Sequence, residues 1–427
     1  MTTEAGPKRQ ASLWRHGDFM KLWTAQTISM LGSQITLLAL PLTAVLLLRA
    51  DPLHVGILTA VGYLPFLLFG LPAGVWVDRL PRRAILIVAD VGRALILLVV
   101  PLLYFTETLT MYALYPVAFL AGVLTVLFDI AHQAYLPSLV DREQITDGNA
   151  KLEISYSGAQ LAGPALGGGL IQLLTAPIAI LVDAVSFLVS GLALMLIKRK
   201  EPPPAAPDAA EGGLLRQIRT GLRFVLRDRL LRPIAVSTGF GNLFDLFGMV
   251  AAVLVIYAVR ELGMSATELG VALAIANVGA MLGAFTNGWI VRRLGVGPAI
   301  VYSALIPGPA ILLLPLATPA TAVATIAAAL GLGGFGIAVY NINQISLRQS
   351  VTPEHLQGRM NATMRFLIWG TLPIGGMLGG LLGGTIGLRP TLIVAGIGCL
   401  LACVPLFLSP LLGVREVPGP ATGMETT

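Results

Sequence analysis

Apolar residues fall along this chain in long runs separated by short polar breaks. A helix that crosses a bilayer needs roughly 20 mostly apolar residues. Runs near 20–48, 53–77, 84–105, 111–136, 150–173, 177–197, 233–259, 266–291, 297–316, 320–346, 358–386 and 390–411 meet that requirement. The pattern predicts an all-α membrane protein with about twelve transmembrane helices. One sizeable linker, residues 198–232, separates the sixth run from the seventh; it begins Pro-rich (KRKEPPPAAPDAAEGG) and continues as a basic amphipathic stretch (LLRQIRTGLRFVLRDRLLR). The second part reads either as a helix lying along the membrane surface or as a solvated spacer helix. The expected organisation is an N-terminal segment 1–19, a six-helix half 20–197, the linker, a second half 233–411 and a tail 412–427.

Composition agrees with a lipid environment. The chain of 427 residues is 56% hydrophobic and 12% charged, against about a quarter charged in soluble proteins. No soluble core could hide so much apolar surface, whereas lipid solvates the outer faces of spanning helices. The opening MTTEAGPKRQASLWRHGDF has no apolar core of the signal-peptide kind, and the first apolar run is too long to be a cleaved one, so it reads as a retained helix.

The net charge of +6 could suggest a nucleic-acid partner, but the basic residues have a topological pattern. Of the 28 Lys and Arg, all but Arg49, Arg93, Arg260 and Arg389 fall on one side when loops are assigned alternately. By the positive-inside rule both termini are then cytoplasmic, as expected in a bacterial inner membrane, and no nucleic acid is needed to explain the charge. Cys399 and Cys403 stand four residues apart in an apolar run and read as helix-packing residues, with neither a metal pattern nor a disulfide framework.

The two halves resemble each other at a shift of about 212 residues. Asn149-Ala150 opens a helix that reaches Ala165-Leu166-Gly167-Gly168, and Asn361-Ala362 opens one that reaches Met377-Leu378-Gly379-Gly380. Two pseudo-symmetric halves in parallel repeat place a binding site between them near the membrane midplane. No H-E-x-x-H metal set, nucleophile with its base, or G-x-x-x-x-G-K-[ST] loop occurs. An enzyme and an ATP-driven pump are therefore disfavoured, no cofactor or metal is expected, and short outer loops argue against a receptor.

After the second run comes Gly74 to Arg83, GVWVDRLPRR, and in the fifth run Ala162 to Gly169, AGPALGGG. The first resembles the signature loop between helices two and three of the major facilitator superfamily. The second carries Gly163, Pro164, Gly167 and Gly168 of the pattern that marks its antiporter branches, with Ala159 where the fuller pattern has Gly. An Arg usual in helix four of drug antiporters is absent, its place taken by Ala118. Along most of its length the chain is similar to the third drug:proton antiporter group, which includes macrolide-efflux and enterobactin-exporter-like proteins. The resemblance rests on WRHGDFMKLWTAQTISMLGSQI, FDIAHQAYLPSLVDREQITDGNAKLE and GPALGGGLIQLLTAPIAILVDAVSFLVSGL. It implies alternating-access export of a small amphipathic drug or natural product, protons as the coupling ion and a monomer. The alternatives are export of a siderophore or metabolite, uniport, and a non-transporting receptor.

Ionisable residues inside spans are functional candidates. Asp245, about 18 Å into its run at 1.5 Å per residue, is the most central acid. Shifted back by the repeat it falls on Gln34, so Asp245 with Gln34, Gln26 and Asn242 is the candidate substrate or proton site; the alternative is an Asp bonded within its own half. Asp78, Arg79, Arg82, Arg83, Asp90, Arg93 and Asp129 form a candidate gating network, Asp90 and Arg93 being spaced to pair on one helix face and Asp129 with Arg82. Gly74 is expected to let helices pack closely. Asp183 reads as structural, and Glu153 and Arg365 as fasteners at cytoplasmic helix ends. Tyr63, Phe66, Phe366 and Trp369 either line a hydrophobic pocket or pack elsewhere.

Overall fold

The computed structural model describes residues 13–199, 201 and 214–416. The described residues are helical, with no strand among them. Helices α1 (Gly17–Leu42), α2 (Pro52–Arg79), α3 (Arg82–Phe105), α4 (Met111–Leu139), α5 (Ile145–Leu174) and α6 (Ala176–Met195) pack on one another. After α7 (Leu214–Arg227), a second group follows. It comprises α8 (Leu231–Phe244), α9 (Met249–Ile256), α10 (Ala266–Leu294), α11 (Val296–Leu305), α12 (Pro307–Leu313), α13 (Ala322–Val351), α14 (Glu354–Trp369), α15 (Leu372–Thr385), α16 (Leu388–Ala402) and α17 (Val404–Phe407). Eleven helical stretches among the described residues are long and apolar enough to cross a membrane. The expected run left over, the fifth, coincides with α5, which is 30 residues long.

Several expected continuous runs are broken. The seventh divides into α8 and α9 at Asp245–Gly248, the ninth at Ile306 before Pro307, and the eleventh at Gly370-Thr371 before Pro373. Proline explains the latter two, because its ring and missing N–H end the preceding turn. At the seventh, the turn-forming cluster Gly239, Gly241, Asn242, Asp245 and Gly248 takes the place of proline.

The internal repeat extends to backbone detail. A π-turn closes the first run at Thr43–Leu47 and another closes the seventh at Tyr257–Glu261. Asp51 caps α2 by accepting from the His54 N–H, and Ser265 caps α10 by accepting from the Glu268 N–H. Thr175, with φ 84°, joins α5 to α6 where Gly387, with φ 93°, leads into α16. Only glycine adopts that region without strain. Thr175→Gly is accordingly expected to stabilise the protein by about 1 kcal/mol, read as a rise in unfolding temperature in detergent, whereas Gly387→Thr should lower it.

The groups meet backbone to backbone at one end. There α2 lies on α15 and α5 on α10, through two copies of one construction. A methyl built on Gly380 would stand 2.7 Å from the Gly56 Cα and 2.8 Å from the Pro52 carbonyl. One built on Gly270 would stand 3.0 Å from the Gly168 Cα, and Gly168 abuts Ala266. Backbone touches backbone at both seals, which is possible because neither partner has a Cβ. Arg260 adds a hydrogen bond across this end to the Ala50 carbonyl, at 2.7 Å.

Candidate functional site

At the opposite end, where the α2–α3, α4–α5 and α13–α14 connections and most of the Lys and Arg lie, the groups part around a cavity of about 1190 Å³. Gly74, expected to pack closely, lies in its wall, and a methyl built there meets nothing within 4 Å. Its counterpart Gly288 on α10 meets only the Arg292 side chain, at 3.5 Å. The reason is geometric: α2 and α10 each carry one glycine engaged at the sealed end and another standing free at the open end.

The broken seventh run positions the central acid. α8 is 14 residues long, so Asp245 at its end lies about 21 Å from where the helix begins, near the middle of a bilayer. Its backbone is extended, with ψ −166°, and its carboxylate accepts the Phe247 N–H at 2.9 Å. Asp245 is 7% exposed and lines the cavity, as does Tyr63 on α2 in the other group. Asn242 also lines the cavity and donates to the Ile368 carbonyl at 3.1 Å.

The other two members of the expected quartet are placed elsewhere. Gln34 faces α5, where a methyl on Gly163 would collide with its side chain. Gln26 is buried within the first group, its Nε2 without a partner among the described residues. The repeat correctly equates depth in the first and seventh runs, but depth does not fix which way a side chain turns. All four aromatics, Tyr63, Phe66, Phe366 and Trp369, line the cavity. Phe66 and Trp369 stack across the two groups with ring centroids 4.5 Å apart.

The gating candidates divide into separate sites. Asp90 and Arg93 form a buried ion pair, and Ser190 on α6 donates to Asp90 at 2.5 Å. The Arg93 guanidinium lies 4.2 Å from the Phe128 ring centroid and 4.0 Å from that of Phe187, a cation held between two aromatic faces. Arg82 and Arg83 do not join Asp129. Their backbone N–H groups donate to Glu201 at 3.0 and 3.1 Å, and the Arg83 side chain donates to the Leu194 and Met195 carbonyls. A carboxylate at the start of α3 and a cation at the end of α6 are each favourable to the helix dipoles, so this loop fastens two helices of one group. Among the described residues Asp129 has no ion pair within 4 Å. Arg79 is exposed at the end of α2, and the side chain of Asp78 lies outside the described residues.

Glu153 and Arg365 are both exposed and form no ion pair with each other. Arg365 instead faces the cavity. The helix-five residues Gly163, Pro164, Gly167 and Gly168 are buried, the first three of this run against α1 or α10 and Gly168 in the seal. Ser186 donates to the buried Asp183 at 3.0 Å. Among the described residues no group of His, Cys, Asp and Glu could hold a metal ion.

Sequence reasoning missed the polar wall given by α8, α13 and α14. Thr238 and the Tyr340 hydroxyl are 2.6 Å apart, and Arg348 donates to Gln344 at 2.9 Å and to Asn361 at 3.2 Å. The signal was present as the run YNINQISLRQS, residues 340–350, whose polar residues are unusually dense for a spanning helix.

The sequence profile described as Major Facilitator Superfamily matches residues 22–371 and 247–424. The chain belongs to the major facilitator superfamily. As a member it is a multi-pass membrane transporter and not an enzyme. Among characterised members it is similar to the multidrug efflux pump Tap of Mycolicibacterium fortuitum, 28% identical over 408 residues that cover 92% of this chain and 96% of Tap. It is also similar to the enterobactin exporter EntS of Salmonella choleraesuis, 28% identical over 292 residues, 67% of each chain. A bacterial homologue of the iron transporter ferroportin, solved in its inward-facing state, shares the major facilitator fold. Its TM-score is 0.76 at 18% identity, covering 93% of this chain and 99% of that one.

Proposed function

We propose that this transporter exports a small amphipathic molecule, a drug or natural product, across a bacterial inner membrane by alternating access, in exchange for protons. The observation that carries the reading is a carboxylate, Asp245, set at a helix break in an aromatic-walled cavity. Discontinuous helices at the midplane expose unpaired backbone groups and are where secondary transporters bind substrates and coupling ions. The similarity to an efflux pump and to a siderophore exporter supports export. The positive-inside rule makes the basic end cytoplasmic. The cavity then faces the cytoplasm with the outer end sealed, the form in which an exporter loads.

In this scheme the aromatic walls take the apolar body of the substrate, and Asp245 takes either its cationic group or a proton, never both. The rocking movement breaks the Gly56–Gly380 and Gly168–Gly270 seals and brings the open glycines of α2 and α10 into contact.

The test is proton release from energised everted membrane vesicles containing the protein. A pH-sensitive dye is followed as macrolides, tetracyclines, cationic dyes and siderophores are added in turn. A compound that collapses the gradient only in vesicles carrying the protein supports proton-coupled export and names the substrate class. A folded protein that binds a compound while none disturbs the gradient would instead indicate uniport or coupling to another ion.

A further inference from the structure

The cavity's charged groups are not confined to Asp245. Arg348 and Arg365 also line it, and they lie on one patch, since Arg348 donates to Asn361 and Asn361 stands one turn from Arg365 on α14. Arg348 is only 6% exposed, yet no carboxylate lies within ion-pair distance of it among the described residues. Two of its nitrogens are spent on the neutral acceptors Gln344 and Asn361, and its Nε has no partner. A buried guanidinium without a counter-charge is strongly unfavourable, and such a group in the wall of an otherwise complete cavity awaits an anion. Arg365 is exposed to the same cavity.

The three charges are ordered by depth. Measured from the open end at 1.5 Å per residue, Arg348 lies about 5 Å, Arg365 about 17 Å and Asp245 about 21 Å in. A molecule filling the cavity therefore meets one carboxylate at the bottom and two guanidiniums on the wall toward the mouth.

From this arrangement we infer that the substrates are amphoteric: an amine or other cation engages Asp245, and a carboxylate or comparable anion on the same molecule engages Arg348 and Arg365. Guanidinium matches carboxylate geometry with paired N–H donors, so these contacts discriminate by shape as well as charge. The order of depths also gives the substrate a direction, cation first and acid trailing. This inference rests on the reading of the cavity as the export site and names the chemistry of what it takes.

A matched pair of dyes tests it without a proton gradient. Rhodamine 110 carries a free carboxylate and rhodamine 123 is its methyl ester; binding of each to the purified full-length protein is followed by fluorescence anisotropy. Wild type is expected to hold rhodamine 110 about tenfold more tightly or better, the scale of one charge-assisted contact. Arg348→Gln and Arg365→Gln should each shrink that preference toward unity. Should Arg348→Gln fail to fold, Arg365→Gln, at an exposed position, decides. Equal affinities in wild type, absence of binding by either dye, or a preference unchanged in the folded variants would overturn the inference. Asp245→Asn should weaken both dyes by a similar factor. A preference for the acid that survives in a protein releasing no protons from vesicles leaves the amphoteric reading standing while the coupling mechanism falls.

Discussion

Asp245→Asn is expected to abolish substrate-dependent proton release, a loss of about 100-fold or more, in a protein that folds normally. The change is isosteric, and the Asn side-chain oxygen can still accept the Phe247 N–H, so the turn between α8 and α9 is retained. What disappears is the negative charge and the ability to carry a proton. A hydrogen bond to a charged partner contributes about 1.5–3 kcal/mol, so affinity for a cationic substrate falls by roughly ten- to a hundred-fold. Coupling should fail more completely, because a group that cannot titrate cannot alternate between proton and substrate. Vesicle proton release and dye binding, measured together on wild type, Asp245→Asn and Asp245→Glu, separate the two effects. Normal export by the Asn variant at every pH tested would remove Asp245 from the mechanism.

The second large effect is expected at the outer seal. Gly56→Leu adds a side chain where the Gly376 carbonyl already stands 2.7 Å from the position of a Cβ. Overpacking of this kind costs about 1–3 kcal/mol, which shifts the equilibrium away from the sealed form by roughly 5- to 150-fold. Transport, which visits both forms every cycle, should fall in proportion. Gly270→Leu, at the repeated position, should behave alike. A cysteine introduced at Thr59, which lies against Gly376, reports on the seal when Cys399 and Cys403 are replaced by Ala. Its labelling by an impermeant maleimide from the outer face should rise in the Leu variants. Gly74→Leu and Gly288→Leu offer the opposite case: both sites are open here, so this form is undisturbed and labelling at Thr59 should not rise, although transport is lost. Unchanged labelling in Gly56→Leu would mean that the glycine contact does not hold the outer end shut.

The fold was legible because lipid imposes a simple rule on sequence. A helix that crosses hydrocarbon must satisfy its own backbone, so apolar length alone reports it, and the repeat between halves reappears in the positive-φ positions at 212 residues and in the caps and π-turns at 214. The helix break at Asp245 was less visible, since neighbouring helices hide a break that would be obvious in a soluble protein. The site was half legible. Asp245 and Asn242 could be found from depth and polarity. Gln34 shares that depth but turns toward α5, while Gln26, about 12 Å nearer the start of the same helix, turns into its own group, and rotation about a helix that is apolar on every side leaves no stripe to read. Arg82 failed as a partner for Asp129 because Glu201, over 100 residues away in the chain, holds it; Arg348 was passed over because its distance from the midplane hid its place in the cavity wall.

The outer seals are made of main chain. Their contact surface, Pro52, Gly56, Gly376 and Gly380 on one side and Pro164, Gly168, Ala266 and Gly270 on the other, holds no side chain that gains or loses a proton. Arg260 reaches across to the Ala50 carbonyl beside them. The glycine contacts are therefore themselves blind to acidity. Protons act on this gate through the carboxylates at its border, Asp51 at the start of α2 and Glu268 at the start of α10, or from inside the cavity.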